Sequence, residues 1–163
     1  MVVICTHNSR RSHMAQLWLA VAADYYRSPE IQTFSGGTEA TAFNIRAVDA
    51  FRRLGFDITV KEESENPIYH ISWKPGMKPY PAFSKKYDDY PNPKEQFAAL
   101  MVCSQADEGC PVVTGCDFRL SLPFDDPKDF DGTDLETEKY DERLRQIGRE
   151  MLFVLSTVTN GGL

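Results

Sequence analysis

Hydrophobic positions along this chain switch between short unbroken runs and helical spacing. Met1 to Ile4 are all apolar and lead into Cys5, the pattern of a parallel strand buried on both faces and here cut close to its start. From Ser12, read as an N-cap, the positions Met14, Leu17, Trp18, Val21 and Tyr25 recur on one helical face, predicting a helix that stops before Pro29. Ile31 to Phe34 read as a second strand and Gly36-Gly37 as a turn. Asn44 is positioned to cap a helix carrying Ile45, Val48, Phe51 and Leu54 that ends at Gly55.

Residues 62–96 break the alternation, because prolines, polar groups and aromatics replace any regular period. They predict a long irregular excursion with one short helix near Ser84 to Asp89. Regularity returns with the apolar run Phe97 to Val102, which leads into Cys103, and with a shorter strand from Arg119 to Leu122. Thr133 and Glu136 have capping-box spacing, and Tyr140, Leu144, Ile147, Met151 and Leu155 share the face that follows. Strands alternating with helices predict an α/β fold, an open and mostly parallel four-stranded sheet flanked by helices, in a single domain spanning 1–163.

Composition narrows the function. The 163 residues carry 18 Lys and Arg against 24 Asp and Glu, a net charge of -6. That sign disfavours nucleic acid and anionic membranes as partners, so an anionic ligand would need a local pocket that overrides the global field. No stretch reaches the roughly 18 apolar residues of a membrane span, and no basic region precedes an apolar run at the N-terminus, so a cytoplasmic location is expected. The four cysteines, Cys5, Cys103, Cys110 and Cys116, therefore read as thiols rather than as two disulfides.

The segment Cys5-Thr6-His7-Asn8-Ser9-Arg10-Arg11-Ser12 lies between the first strand and the first helix. A Cys-x5-Arg-Ser match has a chance frequency of about one in seventy in a chain of this composition, and its position lowers that further. In an open α/β sheet such a loop turns the backbone N–H groups of residues such as Thr6, His7, Asn8, Ser9 and Arg10, and the positive end of the helix, into one concavity. This nest suits a tetrahedral oxyanion. Arg11 can chelate two oxygens with its planar fork, Cys5 at the bottom is an expected nucleophile favoured as thiolate by the same field, and Ser12 can hydrogen-bond it. The bland alternative makes Cys5 an inert strand residue and Arg11 a surface cation. His7 is expected to be a surface group without a catalytic role, and Asn8 to shape the loop.

Cys5 to Ser12, Ser35-Gly36-Gly37-Thr38 and the Asp126-Pro127 pair resemble the low-molecular-weight protein tyrosine phosphatase superfamily. Cys103-Ser-Gln-Ala-Asp-Glu-Gly-Cys110-Pro111 and Leu122-Pro-Phe-Asp-Asp-Pro127 are more specifically similar to its thioredoxin-coupled arsenate reductases, with residues 68–83 as an insertion. The resemblance implies Cys5 as nucleophile, oxyanion binding by the loop and Arg11, and general acid help from Asp126. It also implies a cascade in which Cys103 resolves the Cys5–arsenic adduct and Cys110 takes over the disulfide. Arsenate or phosphate would be the ligand, thioredoxin the electron donor, and no cofactor is implied.

Two features keep a phosphatase open. Hydrolysis needs only Cys5, Arg11 and an acid, and Tyr80, Phe83, Tyr87 and Tyr90 could wall a substrate cleft. Against phosphotyrosine, Lys128, Asp129 and Phe130 follow Asp126-Pro127 where the phosphatases have tyrosines. Cys103, Cys110 and Cys116 are spaced poorly for zinc. Asn8 and Ser35 match potassium-site positions of some reductases, but Gln16 stands where an acidic ligand is expected, so no metal is assigned.

Overall fold

A computed structural model describes residues 1–103 and 113–160. Strand β1 (Val2–Cys5) sits at the centre, its Val2, Val3 and Ile4 wholly buried. It pairs in parallel with β2 (Phe34–Gly37) on one side and β6 (Phe97–Met101) on the other, and β6 pairs in parallel with the edge strand β7 (Cys116–Ser121). The order β2-β1-β6-β7 is the expected four-stranded parallel sheet. Because all four strands point the same way, the C-terminal ends of β1 and β6 lie side by side, with Ile4 opposite Met101.

Helix α1 (Arg11–Tyr25) starts immediately after the Cys5 loop, and α2 (Ile45–Arg53) follows β2. Asn44 caps α2 as expected, its side chain accepting the Arg46 N–H at 3.0 Å, and Gly55 ends the segment at φ 93°. The last helix, α3 (Glu136–Asn160), packs on both α1 and α2. Its predicted face is its buried face: Tyr140, Leu144, Ile147, Met151 and Leu155 are all inaccessible. The capping box is displaced by one residue, since the Glu136 carboxylate accepts the N–H of Gly132 rather than that of Thr133.

Four local expectations are corrected. Ser12 does not cap α1; Arg10 occupies the N-cap position and Ser12 is buried in the first turn, its hydroxyl turned to Cys5. Tyr25, the last residue of α1, is exposed although the periodicity put it on the inner face. The second strand is Phe34–Gly37 rather than Ile31 to Phe34, so Gly36-Gly37 are strand and not turn. Their lack of a side chain is required by close approach: a Cβ on Gly36 would lie 2.3 Å from Tyr87 Cα, and one on Gly37 2.1 Å from Glu39 O. The last strand likewise starts earlier than Arg119, at Cys116.

A further correction concerns the proline-rich excursion, which is not irregular throughout. Strands β3 (Asp57–Val60), β4 (Tyr69–Ser72) and β5 (Tyr80–Ala82) form a separate antiparallel sheet in the order β3-β4-β5. No helix forms at Ser84 to Asp89, because the backbone there is committed elsewhere. The Lys85 N–H donates to Asn8 Oδ1, the Lys85 carbonyl accepts from Gly37, and the Tyr87 N–H donates to the Gly37 carbonyl.

Candidate active site

The loop Cys5–Ser12 is held by its carbonyls. Cys5 O accepts the Thr38 N–H at 3.2 Å, Thr6 O that of Glu39 at 2.8 Å, Ser9 O that of Asn44 at 2.9 Å and Arg10 O that of Met14 at 2.9 Å. His7 O is taken by the hydroxyls of Thr41 and Ser84. In a trans peptide the N–H points opposite to the carbonyl of the same unit. Oxygens turned outward to the scaffold therefore turn the N–H groups of Thr6, His7, Asn8, Arg10 and Arg11 the other way, toward the inside of the loop. Asn8 makes the bend at φ 45°, and its side chain is fully buried. Its amide donates to Ser12 Oγ at 2.8 Å and Ser35 Oγ at 2.9 Å while its oxygen accepts the Lys85 N–H.

Cys5 lies at the end of β1, buried, with Sγ 3.1 Å from Ser12 Oγ. Asn8 donates to that hydroxyl, so the Ser12 proton is available to a Cys5 thiolate. Arg11 reaches across to the segment before the 3-10 turn at Pro127–Phe130, donating to Phe124 O and to Asp126 Oδ2, each at 2.8 Å. Asp126 also caps that turn through the Lys128 N–H at 3.1 Å. The neighbouring Asp125 is exposed and pairs with Arg143 instead, so one aspartate of the pair belongs to the loop and the other to the surface.

Arg10 and His7 contribute backbone rather than side chain to the nest. The Arg10 guanidinium is tied to Tyr140 OH at 2.7 Å and Asp131 at 3.0 Å, and Tyr140 in turn donates to Asp131. Burial, then that carboxylate, raise the Tyr140 phenol above its ordinary value, so it remains a donor. His7 is exposed, 3.7 Å from Glu39. Ser9 is half-buried in the loop.

Cys103 follows β6 and is buried, its Sγ 3.5 Å from Thr6 Oγ1. A second thiol thus stands beside the residue that follows Cys5. Cys110 lies outside the described residues. Cys116 begins β7, opposite Phe97, at the other end of the sheet from the loop, about 16 Å of strand away from Ser121. It donates to Val113 O and belongs to neither the loop nor Cys103.

Several supports of the loop carried no readable signal. His13, stacked on Phe43 at 4.1 Å, sits with Nδ1 3.4 Å from Ser35 Oγ; burial and then the charge of Lys85 hold it well below the ordinary imidazole range, so it is neutral. Ser84, Thr41 and Lys85 come from distant segments and are recognisable only once those segments meet. Gln16 donates to Tyr80 OH at 2.9 Å and Thr33 O at 3.4 Å. Among the described residues no cluster of three acidic, His or Cys side chains is arranged to hold a metal. Tyr80 and Phe83 line a cavity against α1, and Tyr90 is exposed.

No protein-family model matches the chain. The arsenate reductase of Halalkalibacterium halodurans is 28% identical over 149 residues, covering 91% of this chain and 88% of that protein. The arsenate reductase of Brevibacillus brevis is 30% identical over 124 residues, covering 76% of this chain and 73% of that protein. The chain belongs to the arsenate reductase family. Among solved structures, the family's fold is shared by a low-molecular-weight phosphotyrosine phosphatase from Vibrio cholerae, with a TM-score of 0.65 at 15% identity over 99% of this chain and 97% of that one. It is shared too by the arsenate reductase of Archaeoglobus fulgidus, at a TM-score of 0.59 and 16% identity over 95% and 98% of the two chains. Among the described residues no helix of this family member is long and apolar enough to cross a membrane.

Proposed function

We propose that this protein reduces arsenate to arsenite through Cys5, Cys103 and Cys110, with thioredoxin as the electron donor. The observation that carries the reading is the second buried thiol, Cys103, next to Thr6 at the end of the strand adjoining that of Cys5. A phosphatase has no use for it, because water completes a hydrolysis. Arsenate would lie in the loop, its oxygens on the N–H groups of Thr6 to Arg11 and on the guanidinium of Arg11. To reach it, Arg11 exchanges the Asp126 carboxylate for the oxyanion, and Asp126, released beside the anion, becomes the proton donor.

The chemistry then balances as thiol exchange. The Cys5 thiolate attacks arsenic, and a hydroxide leaves as water with a proton from Asp126. The Cys103 thiolate attacks Cys5 Sγ; the sulfur–arsenic bond breaks, its electron pair stays on arsenic, and arsenite departs from a Cys5–Cys103 disulfide. Cys110 displaces Cys5 from Cys103, and the dithiol of thioredoxin reduces the resulting Cys103–Cys110 disulfide. Residues 68–83 are read as an insertion in the single domain, a feature outside this chemistry.

A phosphatase reading rests on the same Cys5, Arg11 and Asp126, which suffice to form a phosphocysteine and protonate a leaving alkoxide. Side-by-side assays of arsenate reduction with thioredoxin and of p-nitrophenyl phosphate hydrolysis separate the two. Reduction abolished by Cys103→Ser, with any hydrolysis retained, is the expected result. Brisk phosphotyrosine hydrolysis with no arsenate reduced would transfer the assignment to the phosphatase.

A further inference from the structure

The antiparallel sheet does more than extend the chain. Together with α1 and the start of β2 it lines a half-open cavity of about 740 Å³, within the usual range for small-molecule sites. Trp73, Tyr80 and Phe83 give it an aromatic wall, and Phe34 and the alanines of α1 close the opposite side. Its polar groups are few and unevenly satisfied. Lys85 lines it although the residue is only 5% exposed; Nζ donates to Phe83 O at 3.3 Å and stands 4.7 Å over the Phe83 ring. No carboxylate among the described residues lies within ion-pair distance of that ammonium. Gln16, also buried on the lining, has an Oε1 with no hydrogen-bond partner among the described residues.

Keeping an ammonium in such surroundings is unfavourable, and burial lowers Lys85 to about 8. Within the fold the charge meets a carbonyl, a ring face and the more distant Asp89, which leaves it short of a contacting anion that a guest could supply. The mouth agrees in sign: Asp24 is already engaged by Lys74 at 2.5 Å and by the Trp73 indole N–H at 3.1 Å, while Arg27 makes no ion pair among the described residues. The cavity is thus cationic within and at its rim, and apolar between.

We propose that it is a second ligand site, separate from the Cys5 loop, for a small monocarboxylate with an aromatic or branched body. The carboxylate pairs with Lys85 Nζ, and the body lies against Trp73, Tyr80 and Phe83. This assignment does not depend on what Cys5 does, because no side chain of the loop lines the cavity.

Calorimetric titration of the full chain with 3-phenylpropionate and with its neutral counterpart 3-phenylpropan-1-ol tests it. The acid is expected to bind at least about tenfold tighter than the alcohol. Lys85→Met, which keeps the length and removes the charge, is expected to erase that preference without weakening the alcohol. Saturating inorganic phosphate should leave the acid's affinity unchanged, and NMR should show contacts from the probe's ring to the Trp73 and Tyr80 rings in the unmodified protein. Equal affinity for acid and alcohol, no binding of the acid at about 10 mM, competition by phosphate, or ring contacts elsewhere would each overturn the site.

Discussion

The Cys5 loop and the Lys85 cavity handle unsatisfied polar groups in opposite ways. In the loop the carbonyls of Cys5, Thr6, His7, Ser9 and Arg10 are engaged, and Asn8 alone ties together Ser12, Ser35 and Lys85. What the loop turns inward is a row of backbone N–H groups, which are rigid, cannot change protonation and have the geometry that suits a tetrahedral oxyanion. In the cavity the under-satisfied groups are side chains: the ammonium of Lys85, which has one carbonyl and a ring face but no carboxylate at ion-pair distance among the described residues, and the Gln16 Oε1. A site made of backbone suits a fixed inorganic substrate; one made of a lone cation and aromatic walls suits an organic ion of adaptable shape.

The comparison breaks most completely at Cys5. Cys5→Ser should abolish arsenate reduction and any phosphatase activity, a loss of more than about a thousandfold, because the loop holds no other thiol and a hydroxyl is a far weaker nucleophile at neutral pH. Binding of phenylpropionate should be unaltered. Steady-state assays and calorimetry on one preparation check both halves, and a loss of carboxylate binding would show that the two regions are a single site.

Arg11→Lys is next. It keeps the charge and loses the planar fork, along with the paired contacts to Phe124 O and Asp126. Oxyanion affinity, read from phosphate protection of Cys5 against alkylation, should fall by about tenfold to a hundredfold. Unchanged protection would remove Arg11 from the anion site.

Gly37→Ala probes the scaffold of the loop without touching its chemistry. The added Cβ would meet three backbone atoms, Glu39 O at 2.1 Å, Thr6 O at 2.6 Å and Asn8 N at 2.8 Å, none of which can rotate away. Denaturant unfolding should show a loss of about 2–3 kcal/mol together with reduced activity. Full stability would mean that the loop and β2 are not packed as described.

The smallest effect separates the regions by sign. Lys85 in the folded chain lies near 8, below its ordinary 10.5, so between those values the unfolded chain binds a proton that the folded one lacks. Stability therefore rises with pH across that window, and below it the buried ammonium is a standing cost. Lys85→Met should stabilise the protein by about 1–3 kcal/mol at pH 7, the gain shrinking as pH climbs from 8 toward 10.5. A destabilised variant, or a gain independent of pH, would contradict the burial argument.

Which parts could be read in the sequence follows from the same contrast. The nest was legible because Cys5, Arg11 and Ser12 are contiguous in the chain and sit where an apolar run meets a helical period. The parallel sheet was legible because β1 and β6 are apolar without interruption. Gly36-Gly37 misled because two glycines signal a turn locally, whereas here they answer also to Tyr87, Thr6 and Asn8, residues that no local window contains. The antiparallel sheet was hidden by its prolines; Pro81 sits inside β5, which is an edge strand and tolerates the missing N–H. Of the cavity only Tyr80 and Phe83 were readable as candidate walls, since Gln16, Phe34, Trp73 and Lys85 join them only in the folded chain. Cys116, whose spacing from Cys103 and Cys110 fits a shared zinc site poorly, is carried by the parallel register to the far end of the sheet.

The central claim is that Cys103 resolves an adduct formed on Cys5, and one arsenate turnover in the Cys110→Ser variant tests it most directly. Without its last thiol the cascade should release about one arsenite per protein molecule and stop. Peptide mapping under non-reducing conditions should then join the Cys5 peptide to the Cys103 peptide, and Cys103→Ser should release no arsenite. Steady-state arsenate reduction by both variants at the unmodified rate with thioredoxin, or a mapped disulfide that omits Cys5 or Cys103, would contradict the mechanism.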